Sequence, residues 1–145
     1  MSSVEIKIEH EAFHAHYDFE TQILHVCYRT EVTPTISAQF YQWLMSAMRE
    51  HPTLVSSARG SIYDFRTVEN IATSNISSAT RQSQQVNQQV DLQNHPVALI
   101  ARDATQERLL SVTMKISPQT ERKRIVRSER EALAYIDSWH QQQNQ

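Results

Sequence analysis

Residues 24–34 read Leu24-His25-Val26-Cys27-Tyr28-Arg29-Thr30-Glu31-Val32-Thr33-Pro34, and the period of the chain changes inside them. Leu24, Val26 and Tyr28 alternate with His25, Cys27 and Arg29, the two-residue period of a half-buried strand. From Thr33 the period becomes helical. Thr33 suits a cap, and Pro34 suits the first helical position, where its missing N–H costs nothing. Ile36, Phe40, Trp43, Leu44, Ala47 and Met48 then share one broad apolar face and read as core. His51-Pro52 ends the helix, because proline disfavours helical geometry in the residue before it.

Working outward, Phe13, Ala15 and Tyr17 alternate with His14 and His16, and Asp18 to Gln22 is a polar turn. Two such runs across a short turn predict an antiparallel hairpin. Before it, Val4, Ile6 and Ile8 alternate with Glu5, Lys7 and Glu9, a further strand. Beyond the first helix, Ser61 to Phe65 reads as a short buried strand and Val97 to Ala101 as a central one. Ser74 to Val90 has a thin helical stripe of Ile76, Ala79, Val86 and Val90 among Gln, Ser and Asn; a helix so weakly apolar leans on tertiary packing. Asp103 and Gln106 have capping-pair spacing for a helix through about Met114. Arg122 to Arg127 is a last strand. Ser128 and Glu131 cap a final helix whose Ala132, Leu133, Ile136 and Trp139 face inward. The order predicts an α/β fold: a mixed sheet opened by an antiparallel N-terminal hairpin, followed by β-α units, with about four helices packed on it. No repeat or linker divides the chain, so residues 1–145 form one domain.

Composition removes several functions. Of 145 residues, only Gly60 is glycine, where average usage of about 7% would give roughly ten. Phosphate-cradling loops need several glycines for close backbone approach, so a Walker loop or dinucleotide fingerprint is excluded. Gly-x-Ser-x-Gly is excluded for the same reason. Cys27 is the only cysteine, which rules out an intramolecular disulfide and a Cys-x-x-Cys metal site and suits a reducing, cytoplasmic setting. No apolar run is long enough to span a membrane, and the first ten residues lack the apolar core of a secretory signal. A net charge of −2 gives no general attraction to nucleic acid or acidic membranes.

The order of elements, the turn at Tyr17 to Gln22 and the Thr30-Glu31-Val32-Thr33-Pro34 entry resemble the STAS-like fold of bacterial anti-sigma-factor antagonists and their small relatives. Ser61-Ile62-Tyr63-Asp64-Phe65-Arg66 resembles their strand-plus-Asp signature. The closing Ser128, Glu131, Ala132, Leu133, Ala134 and Tyr135 are also similar. The resemblance covers roughly residues 13 to 140. It implies a regulatory protein-interaction role and a phosphorylated serine at the start of the second helix, here Ser74. The acidic residue of that pattern is Ala72, its first serine Thr73 and its glycine Asn75. A phosphate would favour a helix N-terminus, whereas Thr73 or Ser74 acting as a plain cap is the simpler reading.

His10, His14, His16 and His25 crowd the N-terminal strands, with His14 and His16 on one strand face and His25 across the hairpin. Imidazoles so placed suit zinc or copper, yet no cysteine joins them and Glu9 and Glu11 lack ligand spacing, so we assign no metal. Asp64 and Arg66, with Glu69 beyond them, lie at a strand end where open α/β sheets bind ligands, and Arg102 and Asp103 end the next strand. These four, Asp64, Arg66, Arg102 and Asp103, are the candidate ligand-binding residues. Lys115, Arg122, Lys123, Arg124, Arg127 and Arg130 make a basic run, but Glu121, Glu129 and Glu131 interrupt it and no aromatics interleave for base stacking. Charge guarding an edge strand explains it better than nucleic acid. The sequence thus points to a non-catalytic regulatory or protein-interaction module, with a protein partner or a homodimer and no cofactor. The alternative is a small-ligand-binding domain at the Asp64–Arg66 edge.

Overall fold

In the computed structural model of the chain, residues 6–71, 95–116 and 122–143 are described. β1 (Lys7–Glu9) and β2 (Phe13–Asp18) lead through a tight turn into β3 (Ile23–Val32), each pair antiparallel. The predicted hairpin is therefore the second half of a three-strand meander. Asp18 closes the turn by accepting from the Glu20 N–H at 2.9 Å, and Gln22 takes a left-handed φ of 61° where many chains use glycine.

The change of period at Thr33 is a change of element. Thr33 Oγ1 accepts from the Ile36 N–H at 3.2 Å and starts α1 (Pro34–Glu50). A five-residue α2 (Thr53–Ser57), which the sequence reading lacks, follows. β4 (Gly60–Ile71) has 12 residues and extends well past the predicted Phe65. β5 (Val97–Ile100), α3 (Ala104–Ile116), β6 (Lys123–Val126) and α4 (Glu129–Gln143) complete the order. Of the four expected helices, three are present. The expected Ser74–Val90 helix lies outside the described residues. Both predicted caps form: the Gln106 N–H donates to Asp103 Oδ1 at 2.9 Å, and the Glu131 N–H to Ser128 Oγ at 3.1 Å.

The six strands lie side by side in chain order, and β3 to β6 are parallel. The sheet has two differently covered faces. On one, Phe13, Ala15, Tyr17, Val26, Tyr28 and Phe65 pack against Phe40, Leu44 and Ala47 of α1 and Leu110 of α3. Phe40 is fully buried and touches the rings of Phe13, Tyr28 and Tyr63. On the other face, Ile23, Ile62, Ala98, Ile100 and Val126 pack against Ala132 and Ile136 of α4. Leu133, expected inward, is 36% exposed: it follows Ala132 by one position, about 100° around the helix, and so points off the sheet.

The lone glycine has a packing reason. A Cβ on Gly60 would sit 2.9 Å from the Pro96 carbonyl oxygen and 3.1 Å from Ile136 Cδ1. β4, β5 and α4 approach one another so closely there that no side chain fits.

Candidate functional site

Alternation decides which side chains meet on the α4 side of the sheet. His14 and His16 of β2, His25 and Cys27 of β3, and Asp64 and Arg66 of β4 all point to this face. With Ile62 and Ile100 and with Glu129 at the start of α4, they line a groove of about 200 Å³. His16 lies opposite His25 in the register, and their rings stack 5.0 Å apart and 7° from parallel. Arg29 Nη2 lies 2.6 Å from His14 Nδ1. His25 Nδ1 is 3.9 Å from a Glu129 oxygen, too far for a hydrogen bond. Burial first, then the neighbouring His16, pulls His25 below the ordinary histidine value, and the Glu129 carboxylate only partly offsets this. Burial and the Asp64 charge push the Cys27 thiol up, which keeps it protonated at neutral pH. Among the described residues no three His, Cys, Asp or Glu side chains are placed to hold a metal ion.

The four candidate ligand residues separate into two pairs. Asp64 and Arg66 line the groove and grip each other: Oδ1 accepts from Arg66 Nε at 3.0 Å and Oδ2 from Nη2 at 2.8 Å. Burial alone would raise the Asp64 carboxyl, but the Arg66 bonds outweigh it and hold it below the usual carboxylate range. Arg102 and Asp103 do not line the groove. Arg102 Nε donates to Asp103 at 3.1 Å, and Nη1 donates to the Val68 carbonyl at 2.9 Å and the Arg66 carbonyl at 3.2 Å. That pair supports the irregular end of β4, where the pairing with β3 shifts register after Cys27. Ser74 lies outside the described residues.

The sequence reading missed two polar clusters. Gln106 was read only as a capping partner; it is 4% exposed, and its Nε2 donates to the Phe65 carbonyl at 2.6 Å and the Val68 carbonyl at 3.2 Å while its Oε1 accepts from the Arg102 N–H. His95 sits at the opposite end of the strands, 2.8 Å from Ser61 Oγ, with its carbonyl accepting from Arg122 Nη1 at 2.9 Å. Burial, then Arg122 and His140, pulls His95 down to about 4. The Ser61 hydroxyl is too buried, at 4% exposure, to meet a substrate from solvent. The one sequence signal for this cluster was a histidine placed directly before an apolar strand, His95-Pro96-Val97. The basic run is dispersed: Arg122 is buried, Arg124 lies over the Tyr135 ring at 5.7 Å and Arg127 bonds Glu107 at 3.1 Å.

No protein-family model and no curated protein matches the chain. Solved structures match its shape. An uncharacterised protein with a SpoIIAA-like fold from Shewanella loihica aligns with a TM-score of 0.52 at 15% identity, over 94% of this chain and 98% of the other. The fold is STAS-like. An anti-sigma factor antagonist from Mycobacterium paratuberculosis shares this STAS-like architecture with a TM-score of 0.53 at 12% identity, over 92% of this chain and 93% of that one. A third structure, determined by NMR, aligns with a TM-score of 0.55 at 15% identity over 94% and 98%. The resemblance drawn from Thr30 to Pro34 and from the Asp64 strand therefore holds for the fold.

Proposed function

We propose that this STAS-like protein is a regulatory module that acts by binding another protein and carries no catalytic centre of its own. The observation that carries the reading is the mutual engagement of the polar groups at the strand ends. Asp64 is spent on Arg66, Arg102 on Asp103 and two carbonyls, and Ser61 on a part-buried His95. A catalytic acid, base or nucleophile needs to be free to reach a substrate. The similarity to an anti-sigma factor antagonist supports a partner-binding role by analogy of fold. A homodimer through the short outer strand β1 fits the same reading, as does a cytoplasmic setting in which Cys27 stays reduced.

The second reading, a small-ligand domain, has the groove at Asp64 and Arg66 in its favour. At about 200 Å³ it falls below the roughly 300 Å³ at which drug-sized pockets begin. Tagged full-length protein, recovered from cells and analysed by native mass spectrometry, separates the two. We expect a stoichiometric protein complex that reforms from purified components and shows no turnover. A chain carrying a stoichiometric small molecule and no protein would overturn the interaction reading.

A further inference from the structure

We propose that the histidine face of the sheet binds a small dianion, held by His14, His16, His25 and Arg66 and gated by proton uptake on the stacked His16–His25 pair. This rests on the small-ligand reading of the groove and is independent of partner binding.

His14 is a donor fixed in place. Arginine can only donate, so the 2.6 Å contact makes His14 Nδ1 the acceptor and leaves the ring proton on Nε2, free to donate to an anion. Arg66 spends Nε and Nη2 on Asp64 and keeps Nη1 without a partner among the described residues. His16 is exposed, and its ring makes no hydrogen bond among the described residues. The His25 ring makes no hydrogen bond among the described residues; it stacks on His16, and the Glu129 carboxylate lies 3.9 Å away.

The stacked pair supplies the gate. Two imidazolium rings 5.0 Å apart repel, so the second proton is resisted. A dianion at the shared edge of the rings offsets that repulsion, and proton uptake and anion binding then favour each other. The charges facing the pair are Lys7 and Glu9 of β1, Asp18 of β2, Arg29 of β3, Asp64 and Arg66 of β4 and Glu129 of α4. With the histidines neutral the acids among them outnumber the bases by one, so the first proton brings the face to neutrality and the second tips it positive. Ile62 and Ile100 form an apolar lining that strengthens electrostatic attraction above them. The groove suits a tetrahedral oxyanion or a short dicarboxylate, and both share this chemistry.

Sulfate is the probe, since it keeps two charges across the range that matters. NMR titration of the imidazole resonances of the full chain, in sulfate and in chloride of equal ionic strength, should raise the His16 and His25 midpoints in sulfate and leave His10 and His51 unmoved. Sulfate affinity should fall about tenfold per pH unit above the pair's own titration if one proton is linked. His25→Gln should abolish the response with the far-ultraviolet dichroism unchanged. Glu129→Gln should tighten sulfate binding at pH values where the pair is protonated, because it removes the competing carboxylate, and should move the response to lower pH, because that carboxylate also favours protonation of His25. A succinate arm that responds more strongly than sulfate assigns a dicarboxylate, and the reverse assigns an oxyanion. Identical titrations in sulfate and chloride, or equal shifts at all histidines, would overturn the proposal. So would a neutral or cationic molecule bound stoichiometrically in the groove, an outcome that keeps the ligand reading and removes the dianion.

Discussion

Acid should loosen this fold through His95, well before its carboxylates titrate. His95 is part-buried just before β5, bonded to Ser61 of β4 and close to the buried Arg122, and it titrates at about 4 in the folded chain. Unfolded, it returns to the ordinary 6.5. The folded state therefore binds fewer protons than the unfolded state between these values, so stability is complete above about pH 6.5 and falls as pH drops towards 4. At about 1.4 kcal/mol per unit, the loss is about 2 kcal/mol at pH 5 and about 3 kcal/mol at pH 4. That is a large share of the roughly 5–15 kcal/mol that holds a domain folded. The assay is urea denaturation followed by Trp43 and Trp139 fluorescence at a series of pH values, in the parent and in His95→Gln. Glutamine keeps a partner for Ser61 but takes up no proton. We expect the variant to be the weaker protein at pH 7.5 and the two stability curves to converge by about 2 kcal/mol towards pH 5. His25, also shifted downward, contributes to both curves and cancels in the comparison. Parallel curves would refute the reasoning.

Three substitutions test the rest of the framework. Gly60→Ala should destabilise by about 1–3 kcal/mol, read as a lower melting temperature, since its Cβ meets a backbone oxygen that cannot move aside. Gln106→Ala should cost about 1–3 kcal/mol in urea titrations, because it takes the side-chain partner from the Phe65 carbonyl and from the Arg102 N–H, while the Val68 carbonyl keeps Arg102 Nη1. Arg66→Ala, on a side chain 43% exposed, should cost less than about 1 kcal/mol in the same assay and should let the Asp64 carboxyl titrate higher by NMR.

Much of the fold was legible because local signals agreed with one another. The two-residue period of Phe13 to Tyr17 and of Leu24 to Tyr28 placed the hairpin, and Thr33-Pro34 placed the start of α1 within one residue. The length of β4 was not legible. Beyond Phe65 its residues are Arg66, Thr67, Val68 and Glu69, one buried valine among polar residues, held as strand by β3 and by Gln106, a partner 41 residues from Phe65 in sequence. The buried state of Arg122 was hidden for a similar reason. Its neighbours Lys123 and Arg124 are typical of a charged edge, and only the approach of His95 shows that its guanidinium is used inside.

The histidine face shows where the sequence stops being sufficient. Alternation already put His14, His16 and His25 opposite the core, but it does not say whether a layer covers them. Topology decides that. Crossovers between parallel neighbours are of one hand, so helices inside β-α-β units fall on the same side, as α1 and Leu110 of α3 do. α4 follows the last strand and is free of that rule, and it packs on the opposite face against β5 and β6, where the chain leaves it. Its residues meet the sheet at Ile62, Ile100 and Val126, and its first residue, Glu129, borders the histidines without covering them. A groove beside a terminal helix is thus built from the order of elements as much as from the side chains that line it.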